Sequence, residues 1–264
     1  KYDGFTLDNV SFNVPKGSIM GFIGQNGAGK TTTIRGLLNL IPINEGEIKL
    51  LDLDHKKDER EIKERIAVVF DELPFHDVFN ANHMGKIFGG IYKSWDNAKY
   101  SEYLDRLQLP RKKKIGKFSK GMKMKLQIAC ALSHNAELLV MDEATTGLDP
   151  VVRNEILDIF LEYLQNEDHS ILMSSHITSD LEKIADSVTF SDRGKILISG
   201  YKDDILNNHS VIKCTKKDYT EIDPEDIISA RLNDFGAEVM VNNRDEMSRK
   251  YSGLVFDRTT LEEI

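Results

Sequence analysis

Residues Gly24-Gln25-Asn26-Gly27-Ala28-Gly29-Lys30-Thr31 follow the pattern G-x-x-x-x-G-K-[ST], set between an apolar run at 17–24 and a helix-forming stretch at 30–40. This pattern demands a strand, a tight loop and a helix in direct succession. The glycines let the backbone curl until successive N–H groups point inward, and the helix N-terminus adds partial positive charge. The product is a cradle for phosphate oxygens, lined by Asn26, Gly27, Ala28 and Gly29. In such a loop Lys30 reaches the β/γ-phosphates, Thr31 ligates Mg²⁺ and Thr32 supports the α-phosphate.

A second stretch supplies the chemistry a bound phosphate needs. Residues 137–143, Glu-Leu-Leu-Val-Met-Asp-Glu, form an apolar strand ending in two carboxylates. At the C-terminal end of a parallel strand, acids sit at the ligand crevice, where a phosphate-bound cation compensates them. Asp142 is the expected Mg²⁺ partner of Thr31. Glu143 is the expected general base for in-line attack of water on the γ-phosphate.

Around these motifs, short apolar runs alternate with amphipathic stretches, the texture of an α/β protein with a mostly parallel, buried sheet. Strands are predicted at 17–24, 46–51, 65–70, 137–142, 170–174, 187–190 and 195–199, and helices at 30–40, 119–134, 151–165 and 178–185. Between residues 71 and 118 the strand signal vanishes, and aromatic-rich pieces at 80–92 and 97–107 read as helices. Beyond Gly200 the texture changes again, to 14 acidic against 9 basic residues with strand candidates at 211–214 and 253–256. The 264 residues carry a net charge of −8, which argues against a nucleic-acid binder, since affinity for a phosphate backbone comes from clustered Lys and Arg. Two cysteines, Cys130 and Cys214, are too few for a disulfide scaffold and too far apart for a metal knuckle, so a reducing, cytoplasmic setting is expected. No apolar run approaches the roughly 18 residues of a membrane span, and no signal-peptide pattern opens the chain. It begins at Lys1 without a methionine, as expected if a native segment precedes it.

Phe118-Ser119-Lys120-Gly121-Met122 opens a helix that leads to the acidic strand, with Asp142 lying 23 residues beyond Ser119. In this order the chain resembles the ATP-binding subunit of ABC transporters, whose signature is L-S-G-G-Q. A Ser before an apolar helix is also what simple N-capping requires. The resemblance implies that Ser119 and Gly121 form a second cradle, used in trans, so that two subunits sandwich ATP head to tail. Gly147-Leu148-Asp149-Pro150 looks like the loop coupling the two sites, with Asp149 the contact. Ser174-Ser175-His176 looks like the switch segment whose histidine holds the γ-phosphate. Tyr2, 22 residues ahead of Gly24, stands where the family places an aromatic that stacks on adenine, with Phe5 as substitute.

The departures are specific. The family has a glutamine after the strand at 65–70, as Mg²⁺ ligand and coupling residue; here Asp71 holds the matching position, and its oxygen could still coordinate a hard cation. Lys120 and Met122 stand where glycine and glutamine are usual, which puts positive charge near the partner's γ-phosphate and removes a polar contact. Ala144 replaces a usual proline.

The resemblance thus implies a P-loop NTPase α/β core with a mostly parallel sheet and an antiparallel N-terminal β part. An ATP-binding domain at 1–205 would carry a helical insertion at about 75–118, followed by a small C-terminal α+β region at 206–264. Tyr92-x-x-Trp95-Asp96 and Asp149-Pro150-Val151-Val152-Arg153 look like bacterial exporter ATPases of the antibiotic-peptide and phenol-soluble-modulin type. That subgroup implies a separate transmembrane permease, a second ATP-binding subunit, an amphipathic or lipid-like cargo, and a place on the cytoplasmic face of the membrane. Two alternatives are a non-transport ATPase of the same type and a weak hydrolyser acting as an ATP-dependent clamp or sensor. The first usually carries a long coiled coil or two cassettes in one chain. A plain P-loop kinase leaves the signature, the loop and the histidine unexplained.

Overall fold

A computed structural model describes residues 4–264. The chain divides into two compact units, one ending at Ser199 and one spanning Gly200–Ile264.

The first unit is organised by a six-stranded sheet. In chain order its elements are β1 (Ile19–Ile23), α1 (Lys30–Leu37), β2 (Lys49–Leu50), β3 (Leu53–Asp54), α2 (Glu59–Arg65), β4 (Ile66–Phe70), α3 (Ala81–Ile91), α4 (Asn97–Arg106), α5 (Lys120–Ala131), β5 (Leu138–Asp142), α6 (Pro150–Tyr163), β6 (Ser170–Ser175), α7 (Thr178–Ile184), β7 (Ser187–Asp192) and most of β8 (Lys195–Tyr201), within which the division at Ser199 falls. The strand order is β4-β5-β6-β1-β7-β8, and β4 through β7 pair in parallel. Strands β1, β5 and β6 are buried at every residue, which is why they read as continuous apolar runs rather than alternating ones. Phe22, Val140 and Leu172 join Ile34 of α1 in one core cluster beneath the sheet.

Register decides where the site lies. Phe70 pairs with Asp142, Asp142 with Ser174, and Ile23 with Ser175. The C-terminal ends of four adjacent strands therefore finish level, and the residues that follow them (Asp71, Glu143, His176 and the Gly24 loop) emerge along one edge.

Among the described residues, antiparallel pairing in this unit includes the short β2–β3 ribbon and the hairpin that joins β7 to β8 through Arg193 and Gly194, both with positive φ. The expected strand at 46–51 shrinks to Lys49–Leu50, because Leu51 and Asp52 turn with φ of 54° and 65°. Helix α2 went unread in the sequence: of Glu59–Arg65 only Ile62 is buried, so it carries almost no apolar periodicity. Helices α3 and α4 are knitted by aromatic contacts. Tyr100 sits so close to Gly85 that a Cβ there would lie 2.7 Å from its ring, and its hydroxyl donates to Ala81 O at 2.9 Å.

The second unit contains α8 (Lys202–Asn208), β9 (His209–Cys214), α9 (Lys216–Tyr219), β10 (Ile227–Leu232), β11 (Ala237–Asn242), α10 (Arg244–Lys250) and β12 (Val255–Arg258). Its sheet is antiparallel in the order β10-β11-β9-β12, with Ile212, Val239, Val241 and Met247 in its core. The two strands expected in this region are joined by two more, β10 and β11. No helix among the described residues is long and apolar enough to cross a membrane.

Candidate nucleotide site

Gly27 and Gly29 adopt φ of 86° and 106°, the left-handed region that a side chain strains to enter. A Cβ on Gly24 would stand 2.5 Å from Ser191 O, so the loop needs glycine there for room as well. Gly29 is the N-cap of α1 and offers no side chain, leaving the first-turn N–H groups open to an external anion.

Lys30 is only 5% exposed and folds back over this loop. Its Nζ donates to Gly24 O at 2.7 Å and to Gln25 O at 3.3 Å, and lies 3.0 Å from Glu143 Oε1. Thr31 Oγ1 donates to Asp142 Oδ1 at 3.2 Å, and Ser174 Oγ donates to the same oxygen at 2.7 Å. Three hard oxygens thus converge beside the phosphate loop, a donor set suited to Mg²⁺. Thr32 follows in the first turn of α1, half-buried.

Glu143 sits at φ 55°, a strained position for a residue with a Cβ, and is fixed there by its N–H, which reaches Ser174 O and Oγ. Its Oε2 accepts from Thr146 Oγ1 at 2.8 Å and meets His176 Nδ1 at 2.6 Å. Burial pushes the Glu143 carboxyl up. The Lys30 ammonium, the Thr146 hydroxyl and His176 together outweigh it and hold the group below the usual carboxylate range. An ionised carboxylate thus sits between a lysine and a histidine at the mouth of the phosphate loop.

The structure brings Lys30, Thr31, Asp142, Glu143 and His176 together. It does not bring Ser119, Gly121 or Asp149 to them: among the described residues these share no hydrogen bond with the Lys30 group. Ser119 Oγ caps its own helix by accepting from Met122 N, and a Cβ placed on Gly121 would meet Val152 at 3.5 Å, ordinary contact range. Asp149 caps α6 by accepting from Val151 N and Val152 N. Asp71 faces Lys120 rather than Asp142, with Lys120 Nζ 2.6 Å from its Oδ1. Tyr2 lies outside the described residues. The substitute aromatic, Phe5, sits on the phosphate loop, where its Cζ would be 2.9 Å from a Cβ at Gly29.

Sequence reasoning passed over Ser174 and Thr146. The signal for Ser174 was its place two residues before His176 on a strand level with Asp142. That for Thr146 was its i+3 spacing from Glu143.

A family model described as "ABC transporter" matches residues 7–146. The bacitracin transport ATP-binding protein BcrA of Bacillus licheniformis is 39% identical over 194 residues, which cover 73% of this chain and 63% of BcrA, so the match spans less than two thirds of that relative. The ABC transporter ATP-binding protein NatA of Bacillus subtilis is 34% identical over 198 residues, covering 73% of this chain and 80% of NatA. A solved ATP-binding subunit of an ABC transporter superposes with a TM-score of 0.70 at 27% identity, covering 76% of this chain and 85% of that one.

Proposed function

The chain belongs to the ABC transporter family of ATP-binding proteins and is an ATPase, and on that premise we propose that it powers a bacterial exporter through a separate transmembrane permease. The observation that carries this reading is the convergence of Lys30, Thr31, Asp142, Glu143 and His176 at one level of the sheet.

Lys30 leaves its loop carbonyls and Glu143 to take the β/γ-phosphates, exchanging one set of oxygens for another. The N–H groups of residues 26–29, of which that of Ala28 donates to Gln25 O at 3.1 Å in the nucleotide-free loop, and those of the first turn of α1 hold the remaining phosphate charge. Thr31 and Asp142, with Asp71 as a third candidate, would hold Mg²⁺, which when bound neutralises charge on the transferring phosphoryl group. Released from Lys30, the Glu143 carboxylate accepts the proton of the attacking water. His176, now on its Oε2, is in place to orient it and to meet the γ-phosphate. Ser119 and Gly121 at the start of α5, and Asp149 at the start of α6, serve the nucleotide of a second subunit. Among the described residues they share no hydrogen bond with the Lys30 group, and Ser119 and Asp149 cap their own helices instead, which supports that assignment.

Permease contact falls to the segment after Asp71 and to helices α3 and α4, with the ATPase peripheral at the cytoplasmic face of the membrane. The domain division proposed is an ATP-binding domain at 1–205, with its helical insertion at about 75–118, and an accessory region at 206–264. The cargo class proposed is an amphipathic peptide, antibiotic or lipid-like molecule. It is supported by the likeness to BcrA, named for bacitracin transport, and to a further relative, the linearmycin resistance ATP-binding protein LnrL of Bacillus subtilis.

The test is Mg²⁺-dependent ATP turnover of the purified chain beside Glu143→Gln, with molar mass recorded with and without nucleotide. Turnover in the parent and a nucleotide-trapped dimer in the variant support the reading. Turnover that survives the substitution removes Glu143 as the base.

A further inference from the structure

Asp180, near the start of α7, is 1% exposed, and its Oδ2 has no hydrogen-bond partner among the described residues. The group facing it is Arg153 of α6, whose Nε lies 3.7 Å from Oδ2 and is itself buried without a hydrogen bond. The same guanidinium donates through Nη2 to Leu148 O at 3.2 Å. One side chain therefore spans the loop that ends at Asp149 and the helix that begins just after His176. A second link runs beside it, Lys183 Nζ to Asn154 Oδ1 at 3.5 Å. Gly21 brings α7 hard against the sheet, since a Cβ there would meet Leu181 Cδ1 at 2.8 Å, and this holds the neighbouring Asp180 inside.

A buried ion pair is seldom the cheapest way to join two helices, because desolvation offsets most of its attraction. An apolar pair would serve packing alone. A planar fork that also takes a backbone carbonyl does something packing does not: it ties the exit angle of a loop to the position of a helix.

We propose that Arg153 is a positioning residue that couples the His176 segment to the Leu148-Asp149 loop. Displacement of His176 from Glu143 moves the start of α7, and the Asp180–Arg153–Leu148 chain carries that movement to the loop serving the second nucleotide site. The proposal rests on the nucleotide-sandwich reading above.

The experiment uses the full chain with Arg153→Met, Arg153→Lys and the double variant Arg153→Met/Asp180→Asn. It records the melting temperature, the affinity for Mg-ATP, turnover, and ATP-driven dimerisation in the Glu143→Gln background. Arg153→Met strands a buried carboxylate and lowers the melting temperature; the double variant removes the stranded charge and restores it. If Arg153 positions the loop, the double variant still turns over about 10- to 100-fold more slowly and dimerises weakly, while Mg-ATP affinity stays within about twofold. A double variant that regains parental turnover together with its stability makes the pair purely structural and overturns the proposal. Should the double variant not fold, Arg153→Lys decides. It keeps a cation for Asp180 but has no fork for Leu148, so slowed turnover at an unchanged melting temperature supports coupling, and parental turnover overturns it. A parent chain with neither turnover nor dimerisation overturns both readings, whereas an active parent with a fully active double variant overturns this one alone.

Discussion

Lys120 and Asp71, two residues that each depart from the pattern the chain otherwise follows, hold each other at 2.6 Å. Read singly, Asp71 adds negative charge near the phosphates and Lys120 adds positive charge at the signature. In the folded chain the two charges neutralise one another. The Lys120 ammonium also rests beside Gly147, 3.3 Å from where a Cβ would stand, and Lys123 lies 3.9 Å from Asp77. Two lysines one turn apart on α5 thus face two carboxylates on the segment after β4.

Both partners of the Lys120–Asp71 pair are more than 40% exposed, so it is a weak clasp. Lys120→Met should cost less than about 1 kcal/mol of stability, and the cost should shrink in high salt. Reversing both charges, Asp71→Lys with Lys120→Asp, should recover most of it. Urea unfolding at low and high salt checks this; a larger loss that persists in salt would show that the contact is more than a surface ion pair.

Glu143→Gln should lower turnover by about 10²- to 10⁴-fold while nucleotide still binds, because it removes the base and keeps the shape. It also removes the charge partner of Lys30, so affinity for ATP should hold or rise. Single-turnover hydrolysis beside equilibrium binding separates the two effects.

His134 is buried, stacked on Tyr92 at 4.0 Å and hydrogen-bonded to Ile66 O through Nε2, and burial holds it below the usual histidine value of 6.5. Folding therefore favours the neutral ring. Above pH 6.5 both states are neutral and nothing is lost. Below it the unfolded chain takes up a proton that the native state resists, so stability falls as pH drops. Between pH 7.5 and 5.5 this site should contribute a loss of at most about 1.4 kcal/mol. His134→Gln should flatten that part of the profile in urea titrations at the two pH values; an identical slope in the variant assigns the loss to other groups.

Phe5→Ala should raise the KM for ATP by about 2- to 12-fold with little change in kcat, if the ring on the phosphate loop stacks on adenine. An unchanged KM, measured by steady-state titration, would place the base elsewhere.

Much of this architecture was legible because its signals are local. A strand buried on both faces must be apolar along its length, so β1, β4, β5, β6 and β7 stood out and their ends fell within a residue or two. A phosphate loop must contain glycine where φ turns positive, so residues 24–31 announced themselves. Elements held mainly by partners did not. Helix α2 offers a single buried side chain, Ile62, and in β10 no residue is fully buried.

The site divides along the same line. The residue types that bind phosphate and activate water follow from chain order alone, since lysine, threonine and paired carboxylates at those spacings serve few other purposes. Which of them touch was decided by sheet register, which brings Ser174 onto Asp142 and His176 onto Glu143 across 32 and 33 residues of chain. Long-range pairing also set Lys120 on Asp71 and Arg153 on Asp180. Sequence determined which groups the chain carries and which local turns hold them, because backbone conformation answers to neighbours; the tertiary structure alone decided their partners, because charge and hydrogen bonding answer to distance in space.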